Sequence, residues 1–321
     1  MKNVAVVYGG FSSEYEISVA SGTYVASVID TSKFNVFNVL ITREKWLVDD
    51  KYEINRHDFS FTNDKGDKIK FDIALILIHG NPGENGKLQS YFDLIGLPYV
   101  SCNSLAASLT FNKYYCNRYL YAQGIKIAKS VIIRPGQRVD TKQIIDYLKL
   151  PVFVKPDAGG SSFATFKVKS EQELLPAIEA AAKESEEVIV EEFIDGREIT
   201  VGVIKTNGRI KALTPCEVRS KKEFFDYEAK YNPDLNEEII PAPIEKNLLD
   251  KAAELAEKIY EHLNCSGIVR VDFILSKNEF YFLELNSVPG MTSASIVPKM
   301  LRHDKIDITE LYTELINQKL K

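Results

Sequence analysis

Apolar and polar residues along 267–292, GIVRVDFILSKNEFYFLELNSVPGMT, follow the pattern of a β-hairpin: apolar runs at 268–275 and 279–286 flank a short polar turn at 276–278. Upstream, an apolar strand at 3–8 runs into Gly9-Gly10, and from 17 to 29 the spacing becomes helical. Strands at 36–41 and 72–78 and a helix at 87–95 continue an α/β alternation with a parallel sheet. The pattern changes after 97–100, so a domain boundary is expected near Ser101. Helices at 104–123 follow. A strand at 152–155, a glycine-serine loop, a strand at 166–168, a helix at 171–185 and a strand at 188–192 come next. Strands at 199–204 and 209–218 lead to a polar excursion over 219–236, long enough to suggest a functional loop. A helix at 245–263 returns the chain to the hairpin, and a helix at 308–318 closes it.

Side chains alternate faces along a strand, so Arg270 and Asp272 share one face while Glu284 and Asn286 share one face of the partner strand. Register decides which of them meet. A three-residue loop pairs Ser276 with Phe280 and sets Asp272 opposite Glu284 and Arg270 opposite Asn286; a two-residue loop throws the acids onto opposite faces. Opposed carboxylates lie about 5 Å apart at Cβ and repel. A hard cation would relieve the repulsion, and Asp, Glu and Asn oxygens suit Mg²⁺, which takes few protein ligands and shares a nucleotide's phosphates. The plain alternative is two solvated acids on an edge hairpin. Phe280, Phe282 and Ile274 are expected on the acids' face, which argues against solvation, and we read the acids as metal ligands.

At 321 residues, 45% hydrophobic and 26% charged, the chain is expected to be soluble and globular with two or three domains. A net charge of −5 argues against nucleic acid as the main partner. The apolar run at 4–8 is too short for a signal-peptide core and no run approaches a membrane span, so a cytoplasmic protein without a membrane partner is expected. Cys102, Cys116, Cys216 and Cys265 have neither Cys-x-x-Cys spacing nor a histidine cluster and are read as reduced packing residues.

Chemistry concentrates in the loops. Ser12 or Ser13 is expected to cap the first helix, with Glu14 near its first turn, where a carboxylate complements the helix dipole. His79 opens the glycine-rich turn HGNPGENG at the carboxyl end of a strand, where ligands bind in α/β sheets; turn capping is its plain alternative. The loop PDAGGSSFAT after Lys155 lacks P-loop spacing and no helix follows it. Its small residues let backbone N–H groups approach phosphate oxygens, with Lys155 as a point charge.

Six stretches in register resemble the D-alanine–D-alanine ligases of the ATP-grasp superfamily: GGFSSEYEIS at Gly9, HGNPGENGKLQ at His79, VKPDAGGSS at Val154, VEEFIDGREITV at Val190, DYEAKY at Asp226, and RVDF with ELNSVPGMTSAS at Arg270 and Glu284. They span nearly the whole chain. Asn85 stands where relatives usually carry an acid, and Phe163-Ala164 follows the serine pair where smaller residues are common.

The resemblance implies an α/β (α+β) ATP-grasp fold of three domains: 1–101 with a Rossmann-like parallel sheet for substrate, 102–190 with the glycine-serine loop, and 191–321 with the metal hairpin and lid loop. It implies ATP, with Lys113 and Lys155 on the phosphates, Gly160, Ser161 and Ser162 in the loop that closes over it, and Lys230 beside it. Glu191, Glu192, Ile194 and Glu198 would meet adenine and ribose. Two Mg²⁺ ions, with Mn²⁺ as a substitute, would be held by Asp272, Glu284 and Asn286. Arg270 and the Gly290 N–H would stabilise an oxyanion. Glu14 would bind the first D-alanine's ammonium and, with Ser161 and Tyr231, tie the long loop to the site. His79 would line the first subsite and Ser295 receive the second substrate's carboxylate. Depsipeptide-forming relatives depart at the Lys230-Tyr231 position, so an amine is favoured over D-lactate. The implied activity is ATP-dependent synthesis of D-alanyl-D-alanine for peptidoglycan by a cytoplasmic homodimer. Its alternatives are D-serine or another D-amino acid as second substrate, or an ATP-binding regulator without turnover.

Overall fold

The computed structural model describes residues 1–160, 164–220 and 236–320. The first strand, Lys2–Gly9, pairs in parallel with Phe34–Ile41 on one side and Ile73–Ile76 on the other, and Tyr99–Val100 extends the parallel set. Both faces of this sheet are covered, which is why its strands read as unbroken apolar runs. Val4 and Val6 pack with Val25 of the helix Tyr15–Val28 and with Leu311 and Leu315 of the last helix, Ile308–Lys319. Ala5 and Val7 turn the other way, towards Leu88 and Phe92 of the helix Lys87–Ile95. The last helix therefore returns to cover the sheet that begins the chain.

A four-stranded antiparallel sheet follows, in the order Phe166–Val168, Val152–Pro156, Val188–Glu192, Ser130–Ile133. Helices Thr141–Leu148 and Glu171–Ala181 cover it through Ile144, Leu148, Leu174 and Ile178. The third sheet centres on Arg197–Thr206, which pairs antiparallel with Ile268–Ser276 on one side and Cys216–Ser220 on the other. The helix Lys246–His262 buries Ala252, Ala256, Ile259 and Tyr260 against Val201, Val203, Val269 and Val271 of this sheet.

The helical region expected at 104–123 is two helices, Ser104–Phe111 and Lys113–Ala122, broken at Asn112. The first helix differs at its start. Neither Ser12 nor Ser13 caps it; Glu14 is the N-cap residue and makes no side-chain capping bond. The Ser12 hydroxyl instead donates to the His79 carbonyl at 2.8 Å, joining the first loop to the third. The same hydroxyl accepts from the Glu14 N–H at 3.3 Å, so it ties the residue before the helix to that loop without capping the helix itself.

Candidate active site

The hairpin Ile268–Ser276/Glu279–Asn286 sets Asp272 opposite Glu284 and Arg270 opposite Asn286, as expected, but by another route. The turn has two residues, Lys277 and Asn278, with φ of 50° and 64°, and Ser276 pairs with Glu279. Positive φ at both positions is the type I′ turn that suits a two-residue hairpin. That register alone would put Glu284 opposite Val271, on the other face. A β-bulge restores the match: Phe273 faces Phe282 and the next pair is Asp272 with Glu284, so Leu283 is the extra residue. The bulge also corrects the expected neighbours of the acids. The Phe280 and Phe282 rings turn to the opposite side, against Phe273 at ring distances of 5.8 and 6.5 Å, while Ile274 and Tyr281 line the cavity with Asp272 and Phe282 still borders it.

Asp272 is 2% exposed. Arg270 grips both of its oxygens, Nε to Oδ1 at 2.9 Å and Nη2 to Oδ2 at 2.7 Å, and Asn286 Nδ2 donates to Oδ2 at 3.0 Å. Thr200, its cross-strand partner, donates to Oδ1. Burial alone would depress the Arg270 guanidinium, but the charge and hydrogen bonds of Asp272, with Glu284 and Glu198 adding, hold it well above its ordinary value. Two carboxylates and one amide on one face form an oxygen donor set that fits a hard divalent cation taking few protein ligands. Among the described residues no group of three or more acid, histidine or cysteine side chains is placed to hold a metal ion, so the Asn286 amide is needed to complete the set.

Facing the hairpin across a cavity of about 510 Å³ stands the four-stranded sheet. Lys155 and Glu191 come from its adjacent antiparallel strands and pair at 2.6 Å, while Asn117 Nδ2 donates to the other Glu191 oxygen at 3.1 Å. Burial would lower the Lys155 ammonium, but Glu191 overrides it and raises the group above its usual value. Lys113, at the start of its helix, donates to the Gly159 carbonyl at 2.5 Å and lies 3.6 Å from Glu284. Phe153, Ile194, Ile274, Tyr281 and Leu283 add apolar surface, and Glu192 and Glu198 add acids at one end. The Glu192 carboxylate accepts from the Lys129 N–H at 2.8 Å. Glu217 also reaches the cavity, held by Arg197 at 2.6 and 2.8 Å and by Arg219 at 2.8 Å. Burial pushes its carboxyl up, but the two guanidiniums outweigh burial and hold it below its usual range. An apolar slot beside paired ammonium groups suits a base attached to phosphates.

The remaining candidate residues meet through the loops of the first sheet. Glu14 is 9% exposed, and a Cβ built on Gly160 would collide with its carboxylate, so any side chain there would have to push that carboxylate aside. His79 Nε2 lies 3.3 Å from the Ser21 hydroxyl, which in turn accepts from the Met291 N–H at 3.1 Å. Glu84 accepts from Gly80 N at 2.7 Å and from Val288 N at 3.3 Å. The turn 287–292 is thereby fastened to the His79 loop. Ser295 Oγ bonds Thr292 at 2.8 Å and accepts from its N–H at 3.1 Å, and a Cβ on Gly290 would come within 3.1 Å of that hydroxyl.

Lys113, Lys155, Gly160, Glu191, Glu192, Ile194, Glu198, Arg270, Asp272 and Glu284 thus border one cavity, with Asn286 beside Asp272. Glu14, His79, Gly290 and Ser295 lie in the loops described above. Ser161, Ser162, Lys230 and Tyr231 lie outside the described residues, as does Phe163. Sequence reasoning missed Ser21, Glu84, Thr200 and the Arg197–Glu217–Arg219 set. Thr200 carried a signal, standing two residues from Glu198 on the same strand face; Ser21 looks like any small helical residue.

Residues 3–102 match the family model for the D-ala D-ala ligase N-terminus, and residues 120–317 that for the D-ala D-ala ligase C-terminus. The chain is 46% identical to a D-alanine–D-alanine ligase of Azobacteroides pseudotrichonymphae genomovar. CFP2, over 98% of this chain and 99% of that protein. Among solved structures it is similar to D-alanyl-alanine synthetase A from Vibrio cholerae, with a TM-score of 0.90, 30% identity and 99% and 98% of the two chains covered. VanG D-Ala:D-Ser ligase from Enterococcus faecalis gives a TM-score of 0.86 and 32% identity, with 98% of each chain covered.

Proposed function

The chain belongs to the D-alanine–D-alanine ligase family, whose members are ATP-dependent ATP-grasp ligases, and from that premise we propose how its residues divide the work of joining two D-alanine molecules for peptidoglycan. Three parts, 1–101, 102–190 and 191–321, supply the substrate loops, the phosphate lysines with the glycine-serine loop, and the acidic hairpin. ATP lies in the cavity between the second and third sheets, with adenine in the slot of Phe153, Ile194, Ile274 and Tyr281 and ribose near Glu198. Lys113 and Lys155 take the phosphates.

The first D-alanine is held by its ammonium on Glu14, beside His79. Its carboxylate attacks the γ-phosphoryl group, the bond to ADP breaks, and an acyl phosphate forms. The amine of the second D-alanine, its carboxylate received near Ser295, then attacks the acyl carbon. The C–N bond forms, the amine loses a proton and phosphate leaves. Positioning and charge neutralisation are what such transfer needs. Arg270 spends Nε and Nη2 on Asp272, which leaves Nη1 for the developing oxyanion together with the Gly290 N–H. A contact of that kind is worth about 3–4 kcal/mol in the barrier. Mg²⁺ at Asp272, Glu284 and Asn286 would neutralise phosphate charge, which three oxygen donors facing a triphosphate otherwise repel.

The observation that carries this reading is the meeting of Lys113, Lys155, Asp272 and Glu284 around one cavity. We also assign the protein to the cytoplasm, where ATP and amino acid precursors are at hand; no helix among the described residues is long and apolar enough to cross a membrane. A homodimer is supported by Leu94 and Leu105, which are 87% and 76% exposed on adjoining helices.

The test is phosphate release from ATP and Mg²⁺ with no acceptor, D-alanine, L-alanine, D-serine, and D-alanine plus D-lactate, with products identified by mass. Release that requires D-alanine and yields its dipeptide is expected. Tight ATP binding without release on any substrate would refute the reading.

A further inference from the structure

Lys113 opens the helix Lys113–Ala122, yet the preceding residue, Asn112, makes no side-chain cap; its amide donates instead to the Ser108 carbonyl at 2.7 Å. The N–H groups at a helix start need partners from elsewhere. Both come from one distant residue. The Asp157 carbonyl accepts from Lys113 N at 3.1 Å, and its carboxylate Oδ1 accepts from Tyr114 N at 2.6 Å. Asp157 N is itself tied to the Glu187 carbonyl at 2.9 Å, and an antiparallel bridge joins Asn112 to Ala158. The residue is 1% exposed, and its Oδ2 has no hydrogen-bond partner among the described residues.

The placement matters because of the residues on either side. Lys155 lies two positions before Asp157, and Gly159, whose carbonyl holds the Lys113 ammonium at 2.5 Å, lies two positions after it. We propose that Asp157 is a positioning residue for the phosphate clamp, capping the Lys113 helix from the segment that carries Lys155 and so fixing the two ammonium groups relative to one another. The proposal rests on the reading that Lys113 and Lys155 take the phosphates of ATP. A buried acid with one oxygen unpaired is costly to a fold. It is repaid where the carboxylate both caps a helix and lies near a lysine that the helix carries.

The experiment compares wild type, Asp157→Ala, Asp157→Asn, Lys113→Ala and the double variant D157A/K113A as full-length enzymes, reading KM for ATP, kcat, and inhibition by adenosine, which has no phosphates. Asp157→Ala is expected to raise KM for ATP about ten-fold, the scale of a lost helix cap. Adenosine inhibition should stay within about two-fold, because the slot is untouched. In the Lys113→Ala background the same change should add less than about two-fold, since the lysine it positions is gone. Asp157→Asn, which keeps the capping oxygen, should restore most of the ATP dependence. An unchanged KM for ATP in Asp157→Ala, a full additive effect in the double variant, or an equal loss of adenosine binding would each overturn the proposal. If Lys113→Ala leaves the ATP dependence intact, the phosphate reading itself fails and the proposal falls with it. Should Asp157→Ala not fold, Asp157→Ser is read by the same criteria.

Discussion

Replacing Lys155 with methionine should destabilise the fold as well as stop the reaction, and the two effects can be separated. The Lys155 and Glu191 side chains are 10% and 6% exposed and meet at 2.6 Å. Methionine keeps the length of the stem but removes the charge, leaving Glu191 buried beside the neutral Asn117 amide. Breaking one half of such a pair costs about 3–5 kcal/mol. At roughly 2 °C per kcal/mol for a chain of this size, the melting temperature should fall by about 6–10 °C. Adding Glu191→Leu removes the stranded charge, so K155M/E191L should recover most of that loss while remaining inactive. The pH dependence has a definite sign. Lys155 is raised above its ordinary 10.5 by Glu191 against the opposing effect of burial, so its contribution is full below the unfolded value and is lost as pH rises through the folded one. The stability gap between wild type and Lys155→Met should therefore be flat from about pH 6 to 9 and close only above about pH 10.5. Thermal melts of the three proteins across that range decide it. A single variant within about 2 °C of wild type, or a double variant as unstable as the single, would refute the reasoning.

Glu284→Gln should cut D-alanine-dependent phosphate release by at least about a hundred-fold while shifting stability by less than about 1 kcal/mol, because its side chain is 26% exposed and meets Lys113 only loosely, at 3.6 Å; near-normal release would remove the metal assignment. Gly160→Ala places a methyl group against the Glu14 carboxylate, so KM for the first D-alanine should rise several-fold more than KM for ATP in steady-state kinetics. Equal rises in both would show that the loop, rather than the ammonium site, had been disturbed.

The elements with long, clear periodicity were legible: the helices Lys87–Ile95, Lys246–His262 and Ile308–Lys319 and the first parallel strands lie where the pattern put them. The hairpin was legible in its outcome and not in its cause. Its second strand buries Phe280 and Phe282 at even positions and then Leu285 at an odd one. A strand cannot change phase in that way without an extra residue, so the bulge was written in the sequence as a slip in alternation. A three-residue loop reproduces the same pairs and hid it. The short helix Ile296–His303 and the strand Ser130–Ile133 had no comparable signal, because four to eight residues give too little period to read.

What stayed hidden has a common physical form. Ser12 reaches His79 across 67 residues, Glu84 reaches Val288 across 204, and Ser21 reaches Met291 across 270. In each case a side-chain oxygen meets a backbone group whose position depends on the finished fold, so no local pattern encodes the contact. Charged residues in glycine-rich loops attract notice because their chemistry is costly unless used; a buried serine does not, since a hydroxyl is cheap to satisfy. Yet two of these contacts fasten the first sheet's loops to the turn carrying Gly290, and so hold together the two amino acid subsites proposed above. Reactive groups can therefore be read one motif at a time, whereas the hydrogen bonds that hold motifs in register become visible only when the sheets have been assembled.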